Sequence, residues 1–123
     1  MEQLIDYKTL FAFTKNVLKA MGHTDEDATL GADVLLSADL RGVDSHGVAR
    51  LHGYVRLWEA NRMNPKPNII IEHETPSTAT IDGDRGLGLV VAPKAMKIAI
   101  EKARNVGTGW VAVNNSNHFG IAG

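Results

Sequence analysis

The chain has 123 residues, 44% hydrophobic and 22% charged, which is an ordinary composition for one small globular domain. Thirteen basic side chains against fourteen acidic ones leave a net charge of −1, which argues against a surface for nucleic acid or anionic lipid. There is no cysteine, so disulfides, thiolate metal sites and cysteine nucleophiles are excluded.

The first sixty residues show helical periodicity. Apolar residues recur at spacings of three and four from Leu10 to Met21, which predicts one helix that ends at Gly22. Thr24 is the expected N-cap of a second helix that runs towards Asp39, because acidic residues follow it in the first turn, where the helix dipole favours them.

A third helix is expected after Gly42 interrupts this pattern. Asp44 or Ser45 can cap it. Its apolar face would include Val48, Leu51, Val55 and Trp58.

Strands are expected next, since Asn64-Pro65-Lys66-Pro67 breaks the helical periodicity. The isoleucine-rich stretch Asn68–Glu74 predicts one strand and Thr78–Asp82 its partner, with a turn between them. The glycines between Gly83 and Gly88 predict a flexible connection.

The last part of the chain predicts a helix and a buried strand. Small and apolar residues from Ala92 to Ala103 share one helical face, and Trp110–Val113 forms a short apolar strand. Such a strand needs neighbours, and a glycine-rich loop after it normally leads to another helix. We therefore expect a mixed α/β fold, with a helical segment at 1–64 and the start of a sheet domain at 65–123, as the front part of a larger protein.

One candidate site lies in the segment from Asp39 to Tyr54. If a helix starts near Ser45, then His46, Arg50 and Tyr54 share one side of it, at positions i, i+4 and i+8. That side would carry an imidazole, a guanidinium able to hold a carboxylate by two hydrogen bonds, and a phenol. The alternative is structural: Ser45 and His46 cap the helix while Arg50 pairs with a surface acid.

A second candidate lies in Asn114–Gly120, after the last strand. Ligands gather outside the carboxyl ends of strands in α/β sheets, and His118 there could act as a general acid or base near neutral pH. The alternative is a solvated turn, because asparagine, serine and glycine are common turn residues.

Other features are weaker. Gly86-Leu87-Gly88 lacks the third glycine of a dinucleotide loop, and the spacing of His46 and His52 argues against a metal site. His23 and His73 are expected at the surface or in turns. Trp58 and Trp110 are expected in the core, since no basic residues alternate with them as a nucleic-acid surface would require.

Two motifs resemble a known family. Asp39–Arg50, DLRGVDSHGVAR, and Ser116–Gly123, SNHFGIAG, resemble the type-2 malate/L-lactate dehydrogenases, a family that also contains ureidoglycolate, sulfolactate and diketogulonate oxidoreductases. The pieces between these motifs are similar to it as well, so the resemblance covers essentially the whole chain as the N-terminal portion of a longer enzyme.

The resemblance implies hydride transfer between a 2-hydroxy acid and its 2-oxo acid, with NAD or NADP bound in a non-Rossmann fold. It implies that His118 is the acid/base, that His46 with Ser45 lies near the nicotinamide and the reacting carbon, and that Arg50 clamps the substrate carboxylate with Tyr54 beside it. The residues implied to contact the cofactor are Phe119, Gly120, Ile121 and Ala122.

The expected partners are a small 2-hydroxy or 2-oxo acid and a second copy of the chain in a homodimer, without nucleic acid, metal or membrane. Charged residues interrupt the first twenty positions, and no apolar stretch approaches the roughly 20 residues of a membrane span. We therefore expect a cytoplasmic protein. Because the resemblance implies a longer enzyme with most of its cofactor pocket beyond this chain, we expect the chain alone to be inactive. The alternative is a naturally short, non-catalytic binding or assembly module.

Overall fold

Helices fill the first half of the chain, and a small sheet with one helix fills the second half. The computed structural model describes residues 3–122. The helices are α1 (Tyr7–Ala20), α2 (Asp25–Leu40), α3 (Leu51–Glu59) and α4 (Gly88–Val106). The strands are β1 (Ile70–Glu74), β2 (Thr78–Gly86) and β3 (Trp110–Ser116). The prediction of a mixed α/β fold is confirmed.

The three strands form one sheet in the order β1-β2-β3. β1 and β2 are antiparallel, while β2 and β3 are parallel and are connected by α4. Parallel pairing places the carboxyl ends of β2 and β3 together, with Gly86 opposite Ser116. The segment after β3 therefore leaves the sheet beside the start of α4.

The main hydrophobic core joins the helices to the start of α4. Leu87 and Leu89 are fully buried in the same cluster as Leu18 of α1 and Leu35 of α2. An ion pair between Lys94 Nζ and the Asp27 carboxylate, 2.6 Å apart, also links α4 to α2. Contacts thus cross position 64, and the division into segments 1–64 and 65–123 stays a prediction.

The connection between α1 and α2 follows the sequence prediction. Gly22 has a φ of +107°, and the Thr24 hydroxyl accepts a hydrogen bond of 3.1 Å from the Asp27 amide. Both features are local, and glycine and threonine are suited to them. The predicted end of the first helix and cap of the second are confirmed.

The predicted start of the third helix is wrong. Asp44–His46 and Val48–Arg50 are two short 3₁₀ turns, and α3 begins only at Leu51. The reason lies in α2, where Asp39 Oδ2 accepts a hydrogen bond of 2.8 Å from the Val48 amide. A Cβ at Gly47 would collide with that carboxylate, so the turn needs a glycine.

The glycines after the hairpin are not a flexible connection, which corrects a second prediction. β2 continues to Gly86, and α4 begins at Gly88. A Cβ at Gly83 would lie 3.1 Å from the Asn115 carbonyl oxygen, and one at Gly86 would lie 2.9 Å from the Gly83 carbonyl oxygen. These glycines allow backbones to pack closely.

Several burial predictions are also wrong. His23 lies in the connection between α1 and α2, as one alternative predicted, but it is only 5% exposed, and its Nδ1 bonds to the Leu18 carbonyl. Trp110 is 70% exposed and Trp58 37%, since nothing within the described chain covers the outer face of β3 or that side of α3. Within residues 3–122 no helix combines the length and apolar character needed to cross a membrane.

Candidate active site

The first part of the site is the pair of 3₁₀ turns between α2 and α3. The Ser45 hydroxyl lies 2.9 Å from Nδ1 of His46, and Nε of Arg50 donates a hydrogen bond of 2.7 Å to the Ser45 carbonyl. These bonds leave the two terminal nitrogens of the Arg50 guanidinium to hold a ligand. The regular helical face expected for His46, Arg50 and Tyr54 is absent, because only Tyr54 lies within α3.

The second part is the loop after β3. The Asn117 amide donates to the Gly86 carbonyl at 3.1 Å, and its side-chain nitrogen donates to the Arg85 carbonyl at 2.9 Å. A Cβ at Gly88 would lie 2.6 Å from the carbonyl carbon and oxygen of His118. The backbone of this loop therefore rests directly on the start of α4, which fixes the position of His118.

The two parts meet at the His118 ring. The Tyr54 hydroxyl lies 2.9 Å from His118 Nδ1, across 64 positions of sequence. The ring of His46 stacks on that of His118 with 5.6 Å between centroids, and the ring of Phe119 lies on the same imidazole at 6.2 Å. The backbone amide of Gly120, which has a φ of +85°, donates to Nδ1 at 3.3 Å.

Burial favours the neutral forms of His118 and Tyr54, and neighbouring positive charges favour the neutral form of His118. His118 is exposed, but desolvation of its ring by neighbouring groups, followed by the positive charges of Arg50 and His46, lowers its pKa below the usual 6.5. Burial raises the pKa of Tyr54 to about 12, although the Arg50 charge acts in the opposite direction. At neutral pH the imidazole is thus uncharged and the phenol keeps its proton.

A groove between α4 and β3 begins at Asn117 and Phe119, the two sequence neighbours of His118. Its volume is about 510 Å³. Its walls are formed by Ala92, Ala95, Met96, Ala99, Gly109, Trp110, Val111, Val113, Ser116, Asn117 and Phe119. No charged side chain lines this α4–β3 groove. It can hold a neutral, largely apolar group.

The structure adds three residues that the sequence analysis did not assign to the site. Asp39 shapes the turn that carries His46 and Arg50, Asn117 anchors the loop of His118, and Gly88 supports that loop from below. Asp39 and Asn117 lie inside the quoted motifs. No local signal distinguishes Gly88, since its need for glycine arises from a distant backbone.

The other predicted residues are placed as follows. Ile121 is half-buried and Ala122 is exposed at the end of the described chain, and their contact with a cofactor stays a prediction. His52 and His73 are exposed and lie outside the site. Among residues 3–122 no group of three or more histidine, aspartate or glutamate side chains is placed to share a metal ion.

Comparison with known proteins gives one family. The model of the malate/L-lactate dehydrogenase family matches residues 5–123. The chain is 55% identical over 108 residues to the L-sulfolactate dehydrogenase of Methanocaldococcus jannaschii, covering 88% of this chain and 31% of that protein. It is 55% identical over 114 residues to the malate dehydrogenase of Pyrococcus abyssi, covering 93% of this chain and 32% of that protein.

Solved structures agree with this result. The structure of the sulfolactate dehydrogenase from Methanocaldococcus jannaschii superposes with a TM-score of 0.96 at 49% identity, covering 98% of this chain and 35% of that one. The malate dehydrogenase from Pyrococcus horikoshii gives a TM-score of 0.92 at 46% identity, covering 99% and 37%. The chain thus spans about a third of the length of the relatives it matches.

Proposed function

The chain belongs to the malate/L-lactate dehydrogenase family, and from that premise we propose that it supplies the N-terminal third of an NAD(P)-dependent enzyme interconverting a 2-hydroxy acid and its 2-oxo acid. The observation that carries the proposal is the convergence of His46, Tyr54 and Phe119 on the His118 ring. The Arg50 charge acts on that ring as well.

The reaction needs a group that moves a proton and a group that holds the substrate. His118 takes the hydroxyl proton during oxidation and returns it during reduction; its neutral form at neutral pH suits the base. Arg50 binds the substrate carboxylate through its terminal nitrogens, because Nε is engaged by Ser45. Holding the acid in this way orients the reacting carbon and removes much of the entropic cost.

The described residues fit one end of the cofactor. The nicotinamide, when bound, exchanges hydride with the substrate carbon. The α4–β3 groove, with Phe119 at its edge and Ser116 in its wall, offers apolar surface and a hydroxyl that suit a neutral aromatic amide. Because no charged side chain lines this groove, we do not expect it to hold the pyrophosphate.

Some finer points stay predictions. The choice between NAD and NADP, the identity of the 2-hydroxy acid, a homodimeric assembly and a cytoplasmic location all belong to the complete protein. The alternative function is that of a short non-catalytic module. The intact mass of the protein purified from its own cell distinguishes this alternative from the enzyme. A mass well above that of 123 residues favours the enzyme, and a mass equal to it favours the module.

A chimera tests the proposed activity. This chain replaces the matching 114 residues of the Pyrococcus abyssi malate dehydrogenase, and reduction of a panel of 2-oxo acids is followed with NADH and with NADPH. We expect turnover in the chimera and a loss of roughly 100-fold to 10,000-fold in the His118→Ala variant, the usual contribution of a general acid/base.

The matched control is His73→Ala. His73 lies exposed on β1, so this variant should retain the turnover of the chimera. A folded chimera without turnover would contradict the proposed function. Near-normal turnover of the His118→Ala variant would contradict the role of His118.

A further inference from the structure

Two hydrogen-bond donors converge on one nitrogen of His118. The Gly120 backbone amide lies 3.3 Å from Nδ1, and the Tyr54 hydroxyl lies 2.9 Å from the same atom. A backbone amide can only donate, so Nδ1 must accept. The Tyr54 hydroxyl then donates to Nδ1 as well, and the neutral ring carries its proton on Nε2.

We propose that Tyr54 is a positioning residue that, together with the Gly120 amide, holds neutral His118 with its proton on Nε2, so that the free side of the ring offers a hydrogen-bond donor to the carbonyl oxygen of a 2-oxo acid. This inference rests on the proposed function. It replaces the expectation that Tyr54 flanks the substrate.

The surroundings of Tyr54 suit this role. Its side chain is only 3% exposed and belongs to the main hydrophobic core, in contact with the cluster that contains Leu51 and Met63. A buried ring on a helix keeps its hydroxyl in a fixed place, while so little exposed surface gives a substrate scarcely any access to it. The high pKa of Tyr54 keeps the proton on that hydroxyl.

The arrangement favours one of the two substrates. The oxygen of a 2-oxo group can only accept hydrogen bonds, whereas a hydroxyl can also donate. A ring with its proton on Nε2 binds the 2-oxo acid directly. Binding a hydroxy acid as a proton donor requires the proton of His118 to move from Nε2 to Nδ1. The Gly120 amide then loses its acceptor, and the Tyr54 hydroxyl must turn to accept from Nδ1. The resting site is therefore arranged to bind the 2-oxo acid, and the proton that reduction requires comes from a doubly protonated His118.

Nitrogen-15 NMR of the full 123-residue chain tests the tautomer. Above its titration range, His118 should show an unprotonated Nδ1 and a protonated Nε2. In Tyr54→Phe, which keeps the ring and removes the hydroxyl, the ratio of the two tautomers should shift by about threefold to tenfold towards Nδ1–H, since one hydrogen bond of ordinary strength is lost. The titration midpoint of His118 should also move upward.

Tyr7→Phe is the matched control, because Tyr7 begins α1 and its ring packs against Phe11, away from His118. It should change neither the tautomer ratio nor the titration. An unchanged tautomer ratio and midpoint in Tyr54→Phe would overturn the proposal. Proton on Nδ1 in the unmodified chain would overturn it too, and that measurement decides the question even if the variant fails to fold.

Kinetics of the chimera separate this inference from the proposed function. Tyr54→Phe should raise the KM for the 2-oxo acid more than the KM for the 2-hydroxy acid. An inactive chimera whose His118 still shows the Tyr54-dependent tautomer would refute the proposed function and support the role of Tyr54. An active chimera in which Tyr54→Phe raises both KM values equally would overturn the role of Tyr54.

Discussion

Replacing Gly88 by alanine should displace the loop of His118 without removing any polar group from the site. Gly88 is the first residue of α4, and an added Cβ would lie 2.6 Å from the carbonyl carbon and oxygen of His118. These atoms belong to backbone and cannot swing aside like the tip of a side chain. The Asn117 carbonyl oxygen lies nearer still, so the loop must move by about 1 Å before every contact reaches 3.4 Å, where ordinary van der Waals contact begins.

The size of the effect follows from this displacement. A misplacement of a catalytic group by about 1 Å costs on the order of 100-fold in rate, so the turnover of the chimera should fall by roughly that factor. Alanine is favoured over glycine inside a helix by about 1 kcal/mol, but overpacking costs about 1–3 kcal/mol. We therefore expect the free energy of unfolding to fall or stay level, while the rate falls steeply.

The assay compares Gly88→Ala with Gly53→Ala in the chimera. Gly53 lies in α3, and a Cβ there would meet nothing within 4 Å. The same substitution at Gly53 should leave turnover unchanged and stabilise the protein by about 0.5–1 kcal/mol, measured by urea unfolding. Turnover of Gly88→Ala within twofold of the parent chimera would refute the reasoning.

Two further predictions concern charge. Arg50→Lys should raise the KM for the 2-oxo acid by roughly tenfold or more, because an ammonium cannot form the bidentate clamp. The acid limb of the pH–rate profile should stay in place, because lysine keeps the positive charge that lowers the pKa of His118. An unchanged KM would contradict the clamp. Burial lowers the pKa of His23, so the unfolded chain binds more protons below pH 6.5 and stability should fall as the pH drops from 6.5 through the lowered value. His23→Asn keeps a donor for the Leu18 carbonyl and should flatten the pH dependence of the free energy of unfolding, measured by urea unfolding at several pH values. The control His73→Asn should not flatten it. An equal pH dependence in the unmodified chain and both variants would contradict the prediction.

Local signals predicted the helical part of the fold well. The end of α1 at Gly22 and the cap of α2 at Thr24 depend on residues within one helical turn. The start of α3 depends instead on Asp39, which accepts a hydrogen bond from an amide nine positions away. No periodicity in the sequence carries that information, so the third helix was predicted to start too early.

The candidate site also combines features that the local sequence predicts with features that only tertiary contacts determine. The residue types at His46, Arg50 and His118 were recognisable because imidazole and guanidinium are the groups that this chemistry needs. Their arrangement was not predictable, since Tyr54 meets His118 across 64 positions and only the packing of α3 against the loop brings them together. The need for glycine at position 88 likewise arises from tertiary contact alone.

The parallel pairing of β2 and β3 bears on how the chain refolds. Helices α1 and α2 close through contacts near in sequence, whereas Thr78 pairs with Trp110 only after α4 has crossed the sheet. Closing a longer loop has a larger entropic cost, and such non-local pairs form slowly. The loop of His118 follows β3, so it is among the last parts to reach its place. In stopped-flow refolding of a Trp58→Phe variant, whose fluorescence reports Trp110 alone, helical circular dichroism should therefore recover before the fluorescence.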